Sequence, residues 1–166
     1  MSTETLTERD GFLATFEREY QTTLKILKAF PGNPTGLRVS DRAQTAGAIA
    51  WTLALAQQTT GPILAGELMP GGFPEQPETW PAIIAGFEQS HREAAERLQE
   101  MSEADMNGTV RMPVGPKQIA DVRRGDALWM FVYDQIHHRG QLSVYLRMAG
   151  GNVPSIYGPS GDEPWG

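Results

Sequence analysis

Two adjacent histidines lie in the stretch YDQIHHRGQLSVYLR, residues 133–147, and give the sequence its best candidate for chemistry. His137 and His138 are two of only three histidines in the chain. Because imidazole titrates near neutral pH and binds metal ions readily, this stretch holds most of the chain's capacity for either role. Asp134 precedes His138 by four residues and adds a carboxylate that could work with the imidazole.

Helical geometry would bring Asp134 and His138 together. In a helix they lie one turn apart and about 40° apart around the axis, whereas His137 points about 100° away and cannot easily join them. A carboxylate and an imidazole so placed can chelate a divalent cation if a facing helix supplies more ligands. The same spacing suits an ordinary ion pair in which Asp134 holds the imidazolium and no metal is needed. Spacing alone leaves both interpretations open.

Three further residues are expected to serve structure. His91 has Arg92 and Glu93 beside it and no second ligand three or four residues away, so we predict a polar residue at the edge of its helix. Arg139 should reach outward or toward an acidic partner. Gly140 costs a helix about 1 kcal/mol relative to alanine unless another backbone approaches, so we expect a helix or the tail to cross there.

The elements that must position these residues follow from apolar periodicity. Apolar residues recur every three or four positions in four runs, predicted as helices over residues 7–30, 42–68, 79–101 and 126–148. Asp41 or Ser40 could cap the second helix, which should be central and buried, and the Gly61-Pro62 pair should kink or split it. Thr79 is the expected N-cap of the third helix. Such a layout predicts an all-α four-helix bundle, in which sites are built between facing helices.

Two segments lack this periodicity. Residues 102–125 mix Gly, Pro and short β-like pieces, which predicts a short irregular insert before the last helix. The residues after 148 are too rich in Gly and Pro for a helix. We expect them to form an extended tail that wraps over the bundle, held by Ile156, Tyr157 and Trp165.

Composition narrows the class of protein. The 166 residues suit a single domain over 1–166, and no apolar run is long enough to predict a membrane span. A formal net charge of −6 argues against nucleic acid as a partner. The N-terminus does not resemble a secretory signal, and the absence of cysteine removes disulfides and thiolate zinc sites, so a cytoplasmic location is expected.

The stretch HHRGQLSVYLRMAGGNVPSIYGPSGDE resembles the C-terminal signature of the DinB-like (damage-inducible) superfamily of bacterial four-helix bundles. The resemblance is specific over residues 134–163 and extends to the helix layout of the rest. It implies a bundle of unusual helix order, often a homodimer, in which three histidines bind a divalent metal such as zinc or nickel. Two of these histidines form an HxxxH pair just before RGQ, and the third lies on the second helix.

Carried over to this sequence, two of the three metal ligands are changed. The second histidine of the pair falls on His138, the first falls on Asp134, and the ligand on the second helix, in a stretch like LAWHIA that matches IAWTLA here, falls on Thr52. A neutral hydroxyl is a poor ligand for zinc or nickel, so any remaining site should be weaker and richer in oxygen. The resemblance thus implies a degraded or repurposed metal site.

Two functions are compatible with this pattern. The first is a dimeric bundle, non-catalytic or binding a small ligand, in which Thr52 and Gln141 line the pocket and no cofactor is present beyond, at most, a weakly bound zinc or nickel ion. The alternative, which the resemblance also implies, is a metal-dependent hydrolase or a thiol-dependent transferase or isomerase acting on a small molecule. Its thiol would have to come from a cofactor or substrate, since the chain has no cysteine. The sequence identifies no catalytic residue and no substrate.

Overall fold

Residues 6–165 are described by a computed structural model, and they form six helices and one two-stranded hairpin. The elements are α1 (Glu8–Ala29), α2 (Ala46–Gln58), α3 (Thr60–Ala65), α4 (Trp80–Glu100), α5 (Glu103–Met106), β1 (Thr109–Gly115), β2 (Gln118–Arg123) and α6 (Arg124–Met148). The fold is therefore mostly helical but not purely α, and four predicted helices have become six. None of these helices is long and apolar enough to cross a membrane.

Hydroxyl side chains cap the starts of α1, α2, α4 and α5. Thr79 accepts a hydrogen bond from the backbone of α4, as predicted. The second helix begins later than predicted, because Thr45 is its cap and neither Asp41 nor Ser40 fills that role. A turn that joins the N–H of Ala43 to the carbonyl of Ser40 precedes this helix, and residues 42–45 are not helical.

The second predicted helix is split where its Gly-Pro pair predicted a kink or a break. α2 ends at Gln58, and α3 begins two residues later with the Gly61-Pro62 pair in its first turn. Proline has no N–H to donate, so it is tolerated at the start of a helix and not within one. Gly66 caps the end of α3, and its φ of 95° lies in the left-handed region that favours glycine.

The insert before the last helix is ordered rather than irregular. Ser102 and Asp105 form a capping box that starts the four-residue α5. β1 and β2 then pair antiparallel, with a register shift between Pro113 and Gly115 and a turn at Lys117, whose φ is 58°. Each strand is too short to show a lasting period in the sequence, which is why the hairpin was missed.

The four longer helices pack in a ring, in the order α1, α4, α2, α6. α2 is the most buried of them, as its small and apolar residues predicted, and it contacts both α4 and α6 closely. Gly86 on α4 permits part of this approach, because a Cβ there would lie 2.6 Å from the indole of Trp51. The close contact between α2 and α4 therefore depends on the absence of a side chain at Gly86.

The tail after α6 contains no helix or strand in residues 149–165 and lies against the bundle, as predicted. Ile156 packs against the core, and the Tyr157 hydroxyl bonds to Glu19 of α1. Asp162 accepts hydrogen bonds from Arg147 of α6, at 2.8 Å, and from a backbone N–H within the tail. Trp165 donates to Ser155 of the tail itself, so it does not hold the tail on the bundle in the way we predicted.

Candidate functional site

Four polar side chains of α6 form a chain of contacts across its partly exposed side. Asp134 Oδ1 lies 3.4 Å from Nε2 of His138, and Nδ1 of His138 lies 3.1 Å from Oε1 of Gln141. Nε2 of Gln141 in turn lies 3.2 Å from Nε2 of His137. Helical spacing alone predicted that Asp134 and His138 would meet. It also predicted that His137 could not join them directly, and the link through Gln141 was missed.

A pocket of about 390 Å³ opens beside this chain, between α6, α2 and the loop that precedes α2. Its walls are mainly apolar, and His138 and Gln141 contribute polar groups. The lining residues are Val39, Ala43, Gln44, Ile49, His138, Gln141, Val144 and Tyr145. Tyr145 is occupied within the fold, since its hydroxyl donates to the carbonyl of Gln44 at 2.7 Å. Apolar walls with a few convergent polar groups are the usual character of a small-molecule site.

The loop residues of this pocket could not have been found from the sequence. Val39 and Ala43 lie in a segment without helical or strand periodicity and without any motif. Their place in the pocket depends on the turn at residues 40–43, which brings the loop back toward α6. The sequence carries no signal for that approach.

Thr52 does not extend this polar chain. Its hydroxyl donates to the carbonyl of Ala48, one turn earlier on α2, at 3.0 Å. Among the side chains described, it makes no hydrogen bond to Asp134 or His138, and α2 supplies Ile49 to the pocket lining. The prediction that Thr52 lines the pocket therefore remains a prediction.

This position offers fewer metal-binding side chains than the three-histidine site that the family resemblance implies. Catalytic zinc takes three protein ligands, whereas one carboxylate and one imidazole face each other here. Within residues 6–165, no three His, Cys, Asp or Glu side chains are grouped closely enough to hold a metal ion. The residues present at this position do not fit a three-ligand site.

His91 is not at the edge of its helix, as we predicted, but buried, with 5% of its surface exposed. Its ring stacks on that of Tyr20 at a centroid distance of 3.5 Å. Nε2 lies 2.8 Å from a carboxylate oxygen of Glu17, and Nδ1 lies 3.2 Å from Oε1 of Gln57. Gln57 continues to Gln135 of α6 at 2.5 Å. The prediction was wrong because neighbours in sequence do not reveal which side of the helix faces the bundle.

The hydrogen-bonded series that runs through His91 joins all four long helices. Glu17 belongs to α1, His91 to α4, Gln57 to α2 and Gln135 to α6. Burial lowers the pKa of His91, and the contact with Glu17 offsets part of that effect. The interior of the bundle therefore favours the neutral imidazole.

Arg139 is also buried, with only 2% of its surface exposed, so the expectation that it reaches outward was wrong. It does reach an acidic partner, as the alternative expectation held, at 2.6 Å from Glu19 Oε2. Tyr157 of the tail bonds to both groups, each at 2.5 Å. Burial by itself would raise the pKa of Glu19, but hydrogen bonds from Tyr157 and Arg139 outweigh it and hold that pKa below its ordinary value.

Gly140 faces open space, which corrects our expectation of a crossing helix or tail. No side-chain or non-local backbone atom lies within 4 Å of the position that a Cβ would take. The tail instead crosses α6 near Arg139 and Arg147. Nothing within the described chain requires a glycine at this point.

The fold and the site define a class of protein. Its members are mostly helical, and the last long helix carries a series of polar side chains beside a small pocket. A family model for the DinB superfamily matches residues 15–142, which is most of the chain. This protein belongs to the DinB superfamily, as the resemblance over α6 and the tail indicated.

Individual relatives agree with this assignment. The uncharacterized protein YrdA of Bacillus subtilis strain 168 is 28% identical over 156 residues, which cover 93% of this chain and 90% of YrdA. A crystal structure of a DinB-like protein from Bacillus cereus ATCC 10987 has a TM-score of 0.71 at 24% identity and covers 89% of this chain and 97% of the other. The DinB-like protein YjoA of Bacillus subtilis has a TM-score of 0.72 at 16% identity, with coverage of 88% and 97%. These structures share the fold.

Proposed function

We propose that this protein binds a small molecule in the pocket beside His138 and does so without a resident metal ion. The observation that carries the proposal is the pocket itself, about 390 Å³ of mainly apolar space bordered by an imidazole and an amide. Pockets of this size and lining bind small ligands, and their few polar groups fix the ligand's orientation. We also propose a cytoplasmic location, in keeping with the absence of cysteine.

The chemistry of the lining suggests what the ligand is like. No lysine or arginine is among the lining residues, and Asp134 places a carboxylate next to His138, so an anion would gain little there. Gln141 and His138 can each donate or accept a hydrogen bond. The site thus suits a compact apolar body with one uncharged polar group, such as an alcohol or an amide.

The metal-dependent alternative rests on a specific contact, the pairing of Asp134 with His138 at the family's ligand positions. In that case the protein would be a hydrolase or a thiol-dependent transferase or isomerase. It would need a third protein ligand, and Thr52 replaces the imidazole that the family resemblance implies at that place. We therefore favour binding without metal.

Binding is tested with benzyl alcohol as a probe, followed by methyl and ring chemical shifts in solution. We expect millimolar binding that shifts the methyl signals of Ile49 and Val144 and the ring signals of His138. Ala43→Phe fills the pocket and should abolish these shifts. Ala104→Phe, at an exposed position on α5, is the control and should leave them unchanged. Shifts spread over the surface, or shifts that persist in Ala43→Phe, would disprove this site.

The metal question has a separate test. Tag-free protein, dialysed after purification without a nickel column, should contain far less than one equivalent of zinc or nickel. Stoichiometric metal that resists a chelator would instead support the alternative, and Asp134 and His138 would be the first ligands to substitute.

A further inference from the structure

A second pocket, of about 270 Å³, lies where the loop between α3 and α4 meets β1 and α6. It shares no lining residue with the pocket beside His138. α6 contributes to both pockets, through Phe131 here and through His138 seven residues later, which is about 10 Å further along the helix axis. The two pockets are therefore separate sites.

The lining of this second pocket offers a ligand almost no polar group. No charged side chain belongs to it, and the only polar one is Thr59, whose hydroxyl already donates to the carbonyl of Ala56 at 2.7 Å. Soft thioethers and aromatic rings dominate instead. Three of the chain's seven methionines and two phenylalanines line the space, namely Met69, Met112, Met130, Phe73 and Phe131. The lining therefore favours a ligand that needs no hydrogen bond.

The base of the pocket is fixed by the core and by backbone hydrogen bonds. The N–H of Leu68 donates to the carbonyl of Arg111 in β1, and the N–H of Arg111 donates to the carbonyl of Gly66, each at 2.9 Å. This pairing ties the loop to the hairpin. Leu68 and Met112 are buried members of one core cluster, and both phenylalanine rings of the pocket pack against that cluster. The apolar space is therefore formed by the folded chain before any ligand arrives.

We propose that this pocket is a second binding site, for a compact uncharged ligand built around one aromatic ring and without a strong hydrogen-bonding group. Thioether sulfur and aromatic rings both make favourable contacts with such a ring, and flexible methionines adapt to its outline. An apolar cavity of about 150 Å³ holds benzene, so the larger volume here accommodates a substituted single ring. This site goes beyond the binding proposed beside His138 and does not depend on it.

Binding is tested with toluene as the probe and with labelled methionine methyl groups as reporters in solution. Toluene should shift the methyl signals of Met69, Met112 and Met130 with a dissociation constant of about 1 mM or tighter, and it should leave Met148, which lines neither pocket, unchanged. Benzyl alcohol should bind this pocket at least about threefold more weakly, because the lining offers its hydroxyl no free partner. Equal shifts at Met148 and at the three pocket methionines, or equal affinities for the two probes, would overturn the proposal.

Two matched substitutions on α6 locate the site. Met130→Glu should raise the dissociation constant of toluene about tenfold or more, followed on Met69 and Met112, because the new carboxylate keeps water at the pocket mouth. Met148→Glu is the control, since Met148 is on the same helix and 52% exposed, against 45% for Met130, and it should bind toluene like the parent. Equal affinities in the two variants would overturn this placement.

The independence of the two pockets has its own control. Ala43→Phe, which fills the pocket beside His138, should leave the toluene response of Met112 intact, so either binding site can fail without the other. Loss of the Met112 response in that variant would contradict a separate second site.

Discussion

The buried arginine on α6 is the residue on which the attachment of the tail depends most. Arg139 and Glu19 are buried, with 2% and 4% of their surfaces exposed, and both bond to the hydroxyl of Tyr157 from the tail. Removing one member of a buried ion pair leaves the other charge uncompensated, which commonly costs about 3–5 kcal/mol. An exposed ion pair to the same Glu19 carboxylate should contribute far less to stability.

Arg139→Leu should therefore lower the free energy of unfolding by about 3–5 kcal/mol. Arg18 provides a matched control, because it also contacts Glu19, at 3.3 Å, but its side chain is 63% exposed. Arg18→Leu should cost less than about 1 kcal/mol, since exposed ion pairs contribute little. Urea denaturation of the two variants measures both values. Similar losses would mean that burial does not govern this pair.

Local and long-range contacts differ in how well the sequence predicted them. The meeting of Asp134 and His138 follows from helical spacing and needed no knowledge of the rest of the fold. The burial of Arg139 and His91 depends on which helices surround them, and that is decided by chain segments far away in the sequence. The same reason explains Gly140, beside which no other segment of the described residues passes.

At the scale of elements, α2 and α4 approach each other as closely as Gly86 allows. Trp51 is only 8% exposed, and its indole N–H donates a hydrogen bond to the carbonyl of Pro74 at 3.0 Å. The ring cannot move away easily to make room for a new methyl group. Even a single methyl group added at Gly86 should therefore disturb the contact between α2 and α4.

Gly86→Ala should destabilise the protein by about 1–3 kcal/mol, because the added methyl would overlap the indole ring. Gly11→Ala in α1 is the control, since nothing lies within 4 Å of the place that its new Cβ would take, and it should be neutral or stabilise by up to about 1 kcal/mol. Thermal unfolding of both variants provides the comparison. If Gly86→Ala is as stable as Gly11→Ala, the two helices are not in close contact at Trp51.

Whether position 52 of α2 faces Asp134 and His138 of α6 can be tested by introducing the histidines that the family resemblance implies. Thr52→His combined with Asp134→His should create a three-nitrogen zinc site with His138, provided that position 52 faces the pair. Zinc affinity should rise only in the double variant, because residues that share one site are not additive. Calorimetry of the double variant, with each single variant as a control, measures this. A double variant that binds zinc no better than the parent would show that Thr52 faces another way.

At the scale of the whole molecule, most of the architecture followed from periodicity and the rest from tertiary contacts. The ends of α1 and α4 and the break between α2 and α3 were predicted because caps and a Gly-Pro pair act locally. The hairpin and the late start of α2 were missed because short strands and turns leave little pattern. The chain of side chains through His91 was missed for a different reason, since its four members are far apart in sequence and meet only when all four helices have assembled.

The hydrogen-bonded series through His91 makes the stability of the bundle depend on pH. Burial lowers the pKa of His91 from its ordinary value of 6.5, so the folded state favours the neutral ring while the unfolded chain takes up a proton more readily. The stabilisation is therefore fully present above about pH 6.5 and is lost as the pH falls through the folded-state pKa. We expect the free energy of unfolding to decrease as the pH falls below about 6.5, while the carboxylates of Glu17 and Glu19, whose pKa values are lowered, stay ionised. His91→Gln should reduce this dependence, whereas His137→Gln, at an exposed position on α6, should keep it. Urea denaturation at several pH values decides the matter, and a slope that is the same in His91→Gln and the parent would show that the buried imidazole does not couple the four helices to pH.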